Sequence, residues 1–467
     1  MMIVTSPLLL FILLLFSMNC SWSTQYPVLR NMKGFFGMVG PNMHVDKNTP
    51  MFELFKGDGI VQGVFFENGT IYPVKHIIQT EKVIFKAKYI CKRASQLASK
   101  IKNIVNDIQS KVLAIPNMLG SANTALMNVK GKTYALFEQD VPYEIDIDFE
   151  NKIIKTLGKV VFGGAHKHSG PHRFSGHTKY DEVNDLIHTI DYNIFTRTVT
   201  YYKMDINFTI LYMFAKRMDH IPIIHDFWVL GSGDVMVIDS PFRFWPFLKR
   251  DFCNPKTLLH HVPLILRKDL STNIHILGRR PAKFSIDAGF YCFHYGDVTE
   301  TEDTIRICAP LYDEFDFNSL NIIGKYREIV IKKKFGSCYI VTSPILETMN
   351  LDFPVQCSGS SRIIVPRNSL HSIVLRRIVL RRIVEGRIAG FVICNGLEIE
   401  RVIDLPDNVS IFGEHIIKEV DGLTYIMAFS KDGSLVLINM EKDNDVTVIP
   451  AFSDGVTLGF HSIFLDR

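Results

Sequence analysis

Short β-prone runs, apolar or alternating, recur along most of the chain with Gly, Asn, Asp and Pro between them. Alternation predicts strands, because successive side chains of an extended backbone point to opposite faces. The sharpest instance is GIVQGVFFENGTIYPV (residues 59–74). Its two β-prone halves flank Asn68-Gly69, the dipeptide favoured in type I′ hairpin turns. GKTYALFEQ (131–139), REIVIKKK (327–334), SCYIVTS (337–343), IAGFVIC (388–394), LTYIMAFS (423–430) and SLVLINME (434–441) are further strand candidates. Many such strands without alternating helices predict an all-β fold, and at this length a propeller rather than a sandwich. No WD-type or kelch-type repeat is visible.

Two stretches depart from this pattern. In residues 95–120, Leu97, Ile101, Ile104, Val105, Ile108 and Val112 recur at steps of three or four, which predicts an amphipathic helix. It either packs on the β core or lies in a membrane interface with its lysines at the headgroups. SIVLRRIVLRRIVEGR (372–387) repeats every five residues, a period of neither helix nor strand. A local duplication that lengthens a strand or hairpin accounts for it.

The first residues change the picture of where the chain goes. An apolar core at 8–16 is followed by small and polar residues. It is too short to span a bilayer, which takes about 20 residues. Residues 1–23 are expected to be a signal peptide or short signal anchor, with cleavage near 20–23 and no Lys or Arg before the apolar run. A secretory or extracellular location follows if the leader functions, and a cytoplasmic, peripheral-membrane one if it does not. Residues 24–467 are expected to form a single domain. Eight cysteines include no CxxC pair, which argues against a cysteine zinc site. The net charge of +4 is slight, and no basic block is interleaved with aromatics, which argues against nucleic-acid binding.

Sixteen histidines are the main candidate chemistry. His166, His168, His172 and His177 fall in a Gly-rich stretch, where His-x-His can bind metal but a solvated loop is the commoner case, and His260-His261 would point to opposite faces of a strand. His177 (FSGHTKYD), His225 (IIHDFWVL), His294 (FYCFHYGDV) and His461 (GFHSIFL) sit in or beside aromatic, β-prone runs. Each is expected to be buried near a strand end. A buried imidazole needs a hydrogen bond or a metal, because an unsatisfied polar group costs about 1–3 kcal/mol.

With these motifs assembled, the chain resembles the carotenoid cleavage oxygenases, a family that includes stilbene-cleaving dioxygenases and the retinoid isomerohydrolase of vision. GFFGMVGPN (34–42) is similar to the family's N-terminal segment, with Met38 and Val39 where Arg-Asn would stand. FKGDGIVQGVFFENG (55–69) and NTALMNVKGKTYALFEQDVPYEID (123–146) match its hairpin and the next strand pair. The four histidine segments follow in the family's order, and FHYGDVTETEDTIRI (293–307) is similar to the region around its third histidine.

The resemblance implies a seven-bladed β-propeller with a small helical cap over its top face. It implies Fe(II) held by His177, His225, His294 and His461, with no catalytic side chain beyond the iron centre. Imidazole suits iron, and four protein ligands on an octahedral ion leave two positions open. The implied reaction inserts O2 across a C=C bond of a carotenoid or apocarotenoid to give two carbonyl products. The implied partners are a lipophilic polyene, O2 and a membrane surface met through residues 95–120. Ligand histidines donate their second N–H to outer acceptors. Glu138 stands at the first such position, facing His225, and Asp352 at the second, facing His294. Val409 stands at the third, and Glu414, five residues along a presumed strand, is expected on the opposite face, so His461 is expected to lack a carboxylate. Two other readings use the same residues: an isomerase or ester-cleaving enzyme of the retinoid type, and a degenerate propeller that binds a lipophile without turnover.

Overall fold

The computed structural model describes residues 26–46, 49–84, 120–162, 171, 173–244, 264–357, 377–384, 387–443 and 445–467. The expected leader (1–23), residues 95–119 of the amphipathic segment, His166, His168, His172, His260, His261 and much of the five-residue repeat lie outside them.

The all-β expectation holds. Among the described residues, strands form seven antiparallel sheets of four or five strands and one two-stranded sheet. The α-helical turns are short, such as Met51–Leu54. The described residues form no helical cap, and residues 95–119, the one long helix read from the sequence, lie outside them.

The hairpin predicted at 59–74 forms as Gly59–Glu67 and Thr70–Ile77. Its turn residues have φ of 52° at Asn68 and 74° at Gly69, the left-handed values a type I′ turn requires. The first strand, Gly34–Pro41, pairs with Gly59–Glu67 on one side and with the C-terminal strand His461–Asp466 on the other. The first and last strands of the described residues thus share one sheet. All six strand candidates read from the pattern lie in strands. The described part of the repeat, Arg377–Val384, is a strand between Asn350–Gln356 and Arg387–Asn395.

Successive sheets touch in chain order. His461–Asp466 meets Ala125–Val129, which meets Lys179–Asp181; Ile210–Arg217 meets Thr272–Leu277, and Ala282–Ile286 meets Ser337–Val341. Thr304–Tyr312 meets Asn350–Gln356, which meets Ile416–Val420, and that strand returns to His461–Asp466. Apolar side chains fill the seams. Phe36, Val64 and Phe66 of the first sheet pack with Met427, Phe429 and Leu437 of the last, and the Phe36 and Phe429 rings stack at 4.8 Å. Each fully buried side chain of this kind is worth about 1.5–3 kcal/mol. Interior strands such as Val235–Asp239 and Ser434–Asn439 are buried throughout, whereas the edge strand Ile210–Arg217 alternates half-buried and exposed. Sheets covered on both faces read as continuous apolar runs, and half-solvated ones alternate.

Candidate metal centre

The four histidines singled out from the sequence meet in one place. One ring nitrogen from each of His177, His225, His294 and His461 lies within 4.8 Å of the others. All four residues are buried, at 2–7% exposure. Each sits beside a strand at the edge of a different sheet. His177 is in the turn before Lys179–Asp181, and His225 precedes Trp228–Val229. His294 follows Tyr291–Cys292, and His461 opens His461–Asp466. Ring centroids are 4.2–5.7 Å apart, with most pairs near perpendicular.

Three of the histidines turn Nδ1 outward onto a carboxylate. His225 Nδ1 bonds Glu138 Oε1, and His294 Nδ1 lies 3.0 Å from Asp352 Oδ1. The expectation that His461 lacks a carboxylate is corrected: its Nδ1 lies 3.1 Å from Glu414 Oε1. The face argument failed because residues 409–414 are not a strand. They make one isolated bridge at Ile411, bend at Gly413, and become a strand only at Ile416. Side-chain alternation does not carry through a bend. Glu414 also accepts the Ser462 N–H at 2.8 Å, while Val409 is packed in the core of the last sheet. The Glu138 carboxylate receives the Tyr192 hydroxyl at 3.3 Å.

Asp352 reaches His294 despite its short side chain because of the backbone that follows it. The pairing register shifts between Asp352 and Val355, Phe353 takes a φ of 53°, and its N–H donates to Asp352 Oδ1 at 2.7 Å. Bulges of this kind re-aim side chains. The Phe353 ring is thereby laid 4.7 Å from His294 and 5.7 Å from His461.

The donor set fits a cation. His225 presents an N–H to Glu138, which leaves the Nε2 lone pair facing inward. Its Nε2 is 3.0 Å from Nε2 of His177, and His294 Nε2 is buried without a hydrogen-bond partner among the described residues. Two nitrogens on opposite sides of one ion lie about 4 Å apart when each bond is about 2.0–2.1 Å. Burial would lower the His225 imidazole, but the charge and hydrogen bond of Glu138 outweigh it and raise it. Burial brings His461 down to about 4, with Glu414 opposing and His294 and His225 adding to the fall. Burial likewise pushes the neighbouring Cys292 thiol well up, and its S–H donates to the His294 carbonyl oxygen at 3.4 Å.

A narrow cavity opens beside Glu138 and His225. Phe55, Phe137, Tyr192, Tyr291, Phe293 and Phe317 give it an aromatic wall. A second group, Asp219, Asp239 and His275, also brings ligand-type atoms together, but Lys283 Nζ already stands 3.0 Å from Asp219. Asp226 and Phe353 were not singled out by pattern, although Asp226 directly follows His225, and Glu414 was weighed but set on the wrong face.

A family model described as retinal pigment epithelial membrane protein matches residues 30–348. Carotenoid 9,10(9′,10′)-cleavage dioxygenase 1 of Arabidopsis thaliana is 26% identical over 231 residues, 46% of this chain and 40% of its own length. The protein of the same name from Pisum sativum is 27% identical over 247 residues, 49% and 42% of the two chains. The matched stretch is less than half the length of either relative. Among solved structures, lignostilbene dioxygenase of Pseudomonas brassicacearum superposes with a TM-score of 0.69 at 15% identity, over 93% of this chain and 92% of that one. A variant of Synechocystis apocarotenoid oxygenase gives 0.68 at 14% identity, over 93% of both chains. At such identities the likeness is one of fold.

Proposed function

Because the chain belongs to the carotenoid cleavage oxygenase family, we propose that it is a non-haem Fe(II) dioxygenase that cleaves a C=C bond of a carotenoid or apocarotenoid with O2, giving two carbonyl products. The observation that carries this reading is the meeting of four buried histidines from four sheets, three of them held from outside by carboxylates. Seven sheets touching in sequence, with the last returning to the first, support a seven-bladed propeller with this centre on its axis.

His177, His225, His294 and His461 would hold the iron, which when bound supplies the activation of O2. Glu138, Asp352 and Glu414 each keep a proton on Nδ1 of their histidine, so that Nε2 turns inward as a neutral donor. Tyr192 steadies Glu138 from the cavity side. The aromatic wall beside His225 suits a polyene, which has apolar faces and no groups to hydrogen-bond, and it keeps water from the reacting bond. Phe353 covers the rings of His294 and His461 on their flank. The three carboxylates at hydrogen-bonding distance favour a working centre over a lipophile-binding relic. Entry of a lipophilic substrate favours peripheral contact with a membrane. Among the described residues no helix is long and apolar enough to cross one.

The test is anaerobic loading with Fe(II), followed by exposure to O2 with a panel of carotenoids, apocarotenoids and stilbenes. About one iron per chain, oxygen uptake and aldehyde products by mass spectrometry are expected. Iron-loaded protein that consumes no oxygen and forms no aldehyde overturns the proposal. Labelled O2 separates cleavage from isomerisation or ester cleavage, because only the dioxygenase places label in both products.

A further inference from the structure

Three of the histidine-bearing segments converge on one carboxylate. Asp226 Oδ1 accepts the Lys179 ammonium at 2.5 Å and the Phe227 N–H at 2.8 Å, and Oδ2 accepts the Tyr295 N–H at 3.2 Å. Oδ1 also faces Nδ1 of His177 at 3.9 Å, a Coulomb distance rather than a hydrogen bond. Lys179 lies two residues after His177, Asp226 directly follows His225, and Tyr295 directly follows His294. One carboxylate therefore ties together three segments that come from three different sheets.

The pair is buried, with side-chain exposures of 10% for Lys179 and 5% for Asp226. Lys179 Nζ also lies 5.6 Å from the centre of the Phe227 ring. Charges buried in this way contribute little net stability over an apolar pair of equal volume, because desolvation offsets their attraction. Their place beside the histidine cluster calls for another role. A carboxylate facing Nδ1 at 3.9 Å favours the proton on that nitrogen, which leaves the Nε2 lone pair of His177 directed at the other three rings.

We propose that the buried Lys179–Asp226 pair is a positioning unit for the metal centre: it spaces the His177, His225 and His294 segments and sets the tautomer of His177. The inference rests on the metal-centre reading above. Neither residue touches the ion, so both act through the histidines.

The test uses cobalt(II) as the probe on the full chain, with four proteins compared: the unaltered chain, Asp226→Asn, Asp226→Glu, and the double variant Lys179→Met/Asp226→Asn. Asp226→Asn is expected to weaken cobalt binding about tenfold or more and to shift the ligand-field bands. It also strands a buried ammonium, so a lowered melting temperature accompanies it. The double variant removes the stranded charge and is expected to recover the melting temperature while keeping the weakened binding and shifted bands. Asp226→Glu is expected to restore part of the affinity. A double variant with the affinity and spectrum of the unaltered chain overturns the proposal, since the pair is then only structural. If Asp226→Asn does not fold, the double variant decides alone. An unaltered chain that takes up no cobalt overturns the metal-centre reading and this inference with it; normal uptake by both chains overturns the inference alone.

Discussion

Glu414 and Val409 show how single side chains divide the labour around His461. Val409 packs with Ile411, Ile426 and Val436 in the core of the last sheet, while Glu414 holds Nδ1 of His461 and the Ser462 N–H. The two positions therefore fail differently. Glu414→Ala is expected to weaken Fe(II) binding by about 10–100-fold, read by titration of the metal-free protein. Val409→Ala is expected to lose about 0.5–3 kcal/mol of folding stability, read by urea unfolding, with metal affinity unchanged. A loss of affinity at Val409 and none at Glu414 would reverse the assignment. The four histidines were legible as buried strand-end residues from their aromatic, β-prone settings, and as one ligand set only through the resemblance to the family. Glu414 was not, because the face it occupies depends on where a strand starts, and Gly413 and Ile416 decide that.

Short edge strands and the turns beside them do the aiming. The histidines stand next to strands as short as two residues, Trp228–Val229 and Tyr291–Cys292. Asp352 is turned by the register shift and the left-handed Phe353 behind it, a conformation that costs about 1–3 kcal/mol at a residue other than Gly. The alternating runs foretold the strands well, as the hairpin at Asn68-Gly69 shows. The shift at Asp352 had no such signal, because a bulge breaks the period that pattern reading relies on. Gly40 illustrates how tightly the elements meet: a Cβ there would come within 1.9 Å of the Leu458 carbonyl oxygen, just before His461. Gly40→Ala must therefore push the first strand away from the closing segment. The expected result is a lowered melting temperature together with weakened iron binding. Unchanged values of both in a folded variant would show that the two segments yield without disturbing His461.

The whole chain makes the centre, since each of the seven sheets of four or five strands among the described residues supplies one group. His461 comes from the first sheet and Glu138 from the loop after Lys132–Leu136 in the second. His177, His225 and His294 come from the third, fourth and fifth. Asp352 and Glu414 come from or directly before the edge strands of the sixth and seventh. The C-terminal strand pairs with the first described strand and carries the last of the four histidines at the same time, as the register Val39 with His461 records. Of that strand only His461 is fully buried, and the rest is half-buried or exposed, less enclosed than a central strand. Removing residues 461–467 is expected to abolish iron binding and to cost cooperative unfolding. His461→Ala keeps the strand, so it is expected to lose iron binding while circular dichroism still shows a folded β protein. Iron retained by either variant would remove His461 from the ligand set.

Residue type and local period, both carried within a few neighbours along the chain, were enough for the all-β character, the hairpin at Asn68-Gly69 and the burial of the four histidines. Distances between residues hundreds of positions apart are set by how the sheets pack, and no local pattern encodes them. That packing brought Glu414 to His461, let Asp352 reach His294, and gathered three segments around Asp226.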